Sequence, residues 1–114
     1  MHELSIALGI LDIAEEEAGE RAARVAAVHL KLGPLSGIVK EALLSAFEMA
    51  REGTVLAQAE LVIEEIPLVI HCPACAADRT PASLFELRCP ACGALSADVV
   101  RGRELEISAL EIES

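Results

Sequence analysis

The chain has 114 residues, 54% of them hydrophobic, and a formal net charge of −10 at neutral pH. It holds two Phe and neither Trp nor Tyr, so its core must be aliphatic. An acidic chain without stacking aromatics is a poor match for nucleic acid. No apolar run approaches a membrane span, and the expectation is a soluble cytoplasmic domain, alone or with a small inserted lobe.

Residues 1–18 read as an amphipathic helix. Leu4, Leu8 and Leu11 share one face, with Ile10 and Ala14 beside them, and Ser5, Gly9, Asp12 and Glu16 run down the other. Glu3 in the first turn complements the helix dipole, and Gly19 is the expected stop. Residues 23–32 read as a strand: Ala26, Val28, Leu30 and Leu32 alternate with Ala27, His29 and Lys31. After Gly33-Pro34, Ser36 suits the N-cap of a second helix over 37–51. Its inner stripe is Val39, Leu43, Ala46, Phe47 and Ala50, and its wet stripe Glu41, Ser45, Glu48 and Glu52; Gly53 fits the C′ position. A second strand follows, with Ala57, Ala59, Leu61 and Ile63 facing in. Strand, helix and strand in succession predict a right-handed crossover within one sheet.

All four cysteines stand in Cys72-Pro73-Ala74-Cys75 and Cys89-Pro90-Ala91-Cys92. Two C-x2-C turns facing each other make the closed tetrahedral S4 site that Zn2+ favours. Two disulfides and an iron centre are the alternatives; reduced cytosolic thiols argue against the first, and iron shares the S4 geometry. A closed site has no open coordination position, so it is structural, not catalytic. Residues 67–102 form the expected zinc lobe, too small for a core of its own and dependent on metal for folding. The last strand, 104–113, changes apolar phase between Ile107 and Leu110, which predicts a β-bulge near Ser108–Ala109. The expected fold is α+β: two helices packed on a three-stranded mixed sheet (1–66 and 103–114), with an inserted zinc-ribbon-like lobe at 67–102.

The first residues carry a second cluster of metal donors. Met1 offers an α-amine, and His2 a backbone amide nitrogen and an imidazole, which close fused chelate rings. The Glu3 amide or an outside group can fill a fourth position, and a square-planar all-nitrogen set favours Ni(II) or Cu(II). A solvated chain end is the plainer alternative.

Met1-His2-Glu3-Leu4-Ser5 resembles the opening of the HypA/HybF family, the nickel-insertion accessory proteins of [NiFe]-hydrogenase maturation. Gly33-Pro34-Leu35-Ser36-Gly37 with Ala46-Phe47-Glu48 is similar to that family's strand-to-helix segment. Ala59-Glu60-Leu61-Val62-Ile63 with Ile66-Pro67 resembles its second strand, and the paired knuckles match its zinc site in order and spacing. The resemblance spans essentially the whole chain. It implies a metallochaperone and not an enzyme, with structural zinc on Cys72, Cys75, Cys89 and Cys92 and nickel as cargo at Met1, His2 and Glu3. It implies delivery, with the GTPase HypB, to the hydrogenase large subunit, and urease maturation as another destination. Charge and composition exclude a nucleic-acid or membrane partner, and the chain is expected as a monomer or weak homodimer.

His71, directly before Cys72, can serve the zinc or nickel site, although an imidazole behind the ligands or in solvent is the simpler reading. His29 reads as hydrogen-bonded or solvated. Glu15-Glu16-Glu17 reads as a solvated face that gathers cations or docks a basic partner. The competing functions are a zinc-ribbon module for nucleic acid or protein and a rubredoxin-like electron carrier.

Overall fold

The computed structural model describes residues 2–21 and 24–113, apart from the side chains of His2 and Arg21. The chain forms two compact units. One comprises Met1–Lys31, Ile38–Glu64 and Glu106–Ser114; the other comprises Leu32–Gly37 and Glu65–Leu105.

The first unit holds two helices that pack on each other, α1 (His2–Arg21) and α2 (Lys40–Ala50). The buried face of α1 is Ala7, Ile10, Leu11, Ala14 and Ala18, at three- and four-residue spacing. Leu4 and Leu8, expected inside, are about half exposed. Apolar residues run most of the way round this helix, so periodicity alone leaves the inner arc open. The arc buried is the alanine-rich one, where small side chains allow close approach. Gly19 does not stop the helix, which runs on to Arg21. A helix-interior glycine costs about 1 kcal/mol relative to alanine, which weakens a helix without ending it.

The second helix starts later than expected. Pro34–Ser36 form a 3-10 turn, and Gly37 turns the chain in the left-handed region at φ 78°. Ser36 is therefore not the cap, and Val39 holds the N-cap position, exposed, with no side-chain acceptor. Leu43 and Phe47 are buried as the stripe predicts, and Glu41, Ser45, Glu48 and Glu52 are exposed. Gly53 adopts φ 76°, two residues past the C-cap Arg51 and one beyond C′.

The first sheet has the order β2-β1-β6, formed by β1 (Arg24–Leu32), β2 (Glu60–Glu65) and β6 (Leu105–Glu113). The crossover strands are thus neighbours, and the last strand returns to the same sheet. Val28, Leu30 and Leu32 are buried as expected, but on the N-terminal side the inward phase belongs to Val25 and Ala27, not Ala26. The second strand opens at Glu60 instead of 57, because Thr54–Ala59 are taken up by tight turns. There Thr54 Oγ1 donates to the Arg51 carbonyl at 2.7 Å, and the Arg51 guanidinium donates to the Ala59 carbonyl. Along β6, exposure alternates up to Ile107, is continuous at Ser108 and Ala109, and resumes in the other phase. This is the slip predicted from the apolar pattern.

The second unit is built on β3 (Val69–Cys72), β4 (Ala77–Arg79) and β5 (Val99–Arg101), in the order β4-β3-β5 and antiparallel throughout. Its buried apolar residues are few: Leu32, Leu68, Ile70 and Pro81, with Cys72 and Cys89. Leu32–Gly37 joins it through backbone contacts. Gly33 N–H donates to the Glu104 carbonyl at 2.8 Å, and Leu35 N–H to the Gly102 carbonyl at 2.7 Å. The approach is so close that a Cβ on Gly33 would lie 2.2 Å from the Gly102 oxygen.

Candidate metal centre

Each cysteine pair sits at a chain reversal. The first follows β3 directly: Cys72 ends the strand and lies opposite Ala77 in the β3–β4 hairpin. The second is closed by Gly93 N–H donating to the Cys89 carbonyl at 2.8 Å, and by Cys89 N–H donating to the Ala94 carbonyl at 2.9 Å. The residue after each second cysteine takes a left-handed conformation, Ala76 at φ 51° and Gly93 at φ 77°. The two turns are thus alike in shape as well as spacing.

The four sulfurs lie within 4.8 Å of one another, and this is the group of metal-ligating side chains found among the described residues. Cys72 Sγ is 3.6 Å from Cys92 Sγ, and Cys75 Sγ is 3.9 Å from Cys89 Sγ. All four are free thiols. A disulfide needs sulfurs about 2 Å apart. A zinc–sulfur bond of about 2.3 Å makes the edge of a regular S4 tetrahedron about 3.8 Å. The observed spacings bracket that edge, so the donor set suits zinc. Cys72 and Cys89 are buried, Cys75 is half-buried and Cys92 is exposed, so one corner of the tetrahedron faces water.

The thiols are electrostatically unequal. The Cys92 backbone N–H, with that of Ala91, points at Cys89 Sγ and lowers its pKa to about 6, against the opposing effect of burial. Cys92 receives the Ala94 N–H, which lowers its pKa, but crowding by the other three sulfurs raises it to about 11. Four sulfurs this close cannot all ionise without a cation between them. One permanent cation is adjacent. Arg79, on β4 opposite Ile70, lies near Cys75 and Cys89, and their sulfurs raise its pKa. Its Nε is buried without a hydrogen-bond partner. Its placement follows from the β3–β4 register, which the spacing of the cysteines does not reveal.

His71 is not part of the sulfur cluster. Its Nδ1 lies 3.0 Å from Asp78 Oδ1 across the β3–β4 hairpin, and its carbonyl accepts the Ser96 hydroxyl. His29 Nε2 lies 2.6 Å from Glu111 Oε2 across the first sheet, as expected of a hydrogen-bonded histidine. Of the N-terminal residues, Met1 and the His2 side chain lie outside the described residues. Glu3 stands in the first turn of α1, where its Oε2 accepts the Val39 N–H at 3.2 Å. Among the described residues, no helix is long and apolar enough to cross a membrane.

Residues 1–112 match the family described as "Hydrogenase/urease nickel incorporation, metallochaperone, hypA". The chain is 50% identical over 112 residues to the hydrogenase maturation factor HypA of Chloroflexus aurantiacus, covering 97% of this chain and 98% of that one. It is 42% identical to the HypA of Geobacter metallireducens, covering 99% and 100%. Among solved structures, a solution structure of HypA protein superposes with a TM-score of 0.72 at 28% identity, covering 99% and 97%. The nickel metallochaperone HypA of Helicobacter pylori gives 0.63 at 26% identity, covering 96% of each chain. Sequence and fold agree over the full length, and the chain belongs to the HypA family of nickel metallochaperones that act in hydrogenase maturation.

Proposed function

We propose that this chain binds Ni(II) through Met1, His2 and Glu3 and delivers it to the large subunit of a [NiFe]-hydrogenase, while zinc on Cys72, Cys75, Cys89 and Cys92 holds the second unit together. The observation that carries the reading is the match of residues 1–112 to a nickel-incorporation family. The family's members are maturation factors and metallochaperones, not enzymes. In this reading the GTPase HypB is the partner in transfer and the cytoplasm is the site of action.

The donors have a physical basis. Met1 supplies an amine, His2 its amide and imidazole, and Glu3 its amide. The first turn of an α-helix is where backbone N–H groups are not consumed by the helix's own ladder, and α1 begins at His2. Amide coordination there leaves the helical hydrogen bonds intact. Each donor nitrogen must lose or lack a proton, so affinity falls with pH and acid favours release. Asp12 and Glu15–Glu17, on exposed positions of α1, raise the local concentration of cations.

Nickel titration of untagged, zinc-loaded protein tests this beside His2→Ala and a chain with one extra N-terminal residue. Wild type should take about one nickel with a square-planar absorption band. Both variants should lose that band and keep zinc. Equal binding by all three would move nickel elsewhere and overturn the N-terminal site.

A further inference from the structure

α2 begins without a cap of its own. Val39 holds the N-cap position in an extended conformation (φ −88°, ψ 120°), and its aliphatic side chain accepts nothing. Ser36, the natural capping residue nearby, is used in the Pro34–Ser36 turn upstream. The start of a helix exposes N–H groups and carries partial positive charge, which favours a carboxylate. That carboxylate arrives from 36 residues away: Glu3 Oε2 accepts the Val39 N–H at 3.2 Å. Glu3 lies in the first turn of α1, α1 and α2 pack together, and both ends of this hydrogen bond belong to one compact unit. One side chain therefore ties the beginning of α1 to the beginning of α2.

We infer that Glu3 is a positioning residue: its carboxylate anchors the N-terminal nitrogen donors against the start of α2 and is not itself a nickel ligand. The inference rests on the N-terminal nickel reading. A chelate made from an amine, amides and one imidazole sits at a chain end, where ordering entropy works against binding. Residue 3 contributes the last amide of the set, so a tether on its side chain holds that amide in place before metal arrives. A carboxylate bound at a helix start gives up both a hydrogen bond and a favourable charge–dipole interaction if it moves to the metal. Nickel occupancy is in turn felt at Val39, because chelation draws on the backbone that the tether holds.

Glu3→Ala, Glu3→Gln and the double variant Glu3→Ala/Val39→Ser test this, compared with wild type by amide hydrogen exchange without nickel and by nickel titration. In the nickel-free chain, Glu3→Ala should speed exchange of the Val39 amide by about tenfold, the scale of a lost cap. Its nickel affinity should fall by a similar factor while the absorption band keeps its position, because the nitrogen donors are unchanged. Glu3→Gln, which keeps an acceptor but loses the charge, should fall between. Val39→Ser gives α2 its own cap, so the double variant should regain helix stability without regaining nickel affinity. A displaced absorption band in Glu3→Ala would make the carboxylate a ligand and overturn the inference. Unchanged Val39 exchange would remove the tether, and full recovery of nickel affinity in the double variant would reduce Glu3 to a cap. A wild type that takes no nickel overturns the nickel reading and the positioning role with it. The Val39 exchange then still reports whether the tether exists.

Discussion

At the scale of single residues, the two knuckles differ in one instructive place. Gly93 and Ala76 occupy equivalent left-handed positions, but only glycine holds that conformation without a Cβ penalty. Ala76→Gly should stabilise the metal-loaded protein by about 1 kcal/mol, and Gly93→Ala should cost about as much. A Cβ at Gly93 would meet nothing within 4 Å, so the denaturant midpoint of Gly93→Ala will report backbone conformation alone. Equal midpoints would mean the turns adjust freely.

The sulfurs set a pH dependence with two opposing parts. Cys89, depressed to about 6, adds stability that is fully present above its ordinary value of 9.0 and is lost as pH falls through 6. Cys92, raised to about 11, adds stability below 9.0 that is lost as pH rises through 11. Metal needs both as thiolates, so it reinforces the first preference and works against the second. Between pH 6 and 9, metal uptake should release at least one proton, from Cys92, and affinity should climb at least about tenfold per pH unit. Calorimetry in buffers of different ionisation enthalpy measures that proton; uptake without release would refute the assignment.

At the scale of elements, hydrophobic pattern was a good guide to where strands and helices exist and a poorer one to their edges and faces. The α2 stripe and the phase slip in β6 were legible because large apolar residues alternate there with Glu or Ser. The inner face of α1 was not, because Leu4, Ile6, Leu8 and Ile13 surround it and packing decides which arc is covered. The element edges depart from the pattern where turns intervene: the Thr54 hydroxyl bond shortens β2, and the left-handed backbone of Gly37 postpones α2. The second unit depends on a turn that looks like a mere connection. Gly33 has an ordinary φ of −93° and is needed for space, since its Cβ would meet the Gly102 backbone. Gly33→Ala should therefore destabilise by about 2–3 kcal/mol, the cost of forcing packed backbones apart. A thermal melt within experimental error of wild type would show that the Leu32–Gly37 segment can shift at little cost.

At the scale of the whole molecule, the two units have different sources of stability. The first buries helix and strand faces, with Phe47, Leu30, Leu43, Leu56 and Val28 fully enclosed. The second has Leu68 and Ile70 and little else beside its cysteines, while Phe85 is 97% exposed. So small a core cannot offset the ordering entropy of its chain. Removing metal with a chelator should abolish the tertiary dispersion of residues 65–105 in NMR spectra and leave the helical circular dichroism of α1 and α2 nearly unchanged. Loss of both together would show that the metal stabilises the entire chain, not one unit.

The sequence by itself determined the two helices, the three strands of the first sheet, the four cysteines as one cluster, the α+β class and the family; the second sheet, β4-β3-β5, came only from the structure. The properties legible in sequence depend on residue identity and short spacings, which survive without coordinates. Only the tertiary structure decided that the four sulfurs meet at zinc-like distances, that Arg79 lies on two of them, and that Glu3 reaches the start of α2. Each of these joins residues through hairpin register or helix packing, and such contacts are set by how whole faces fit together. Linear order carries no record of that fit.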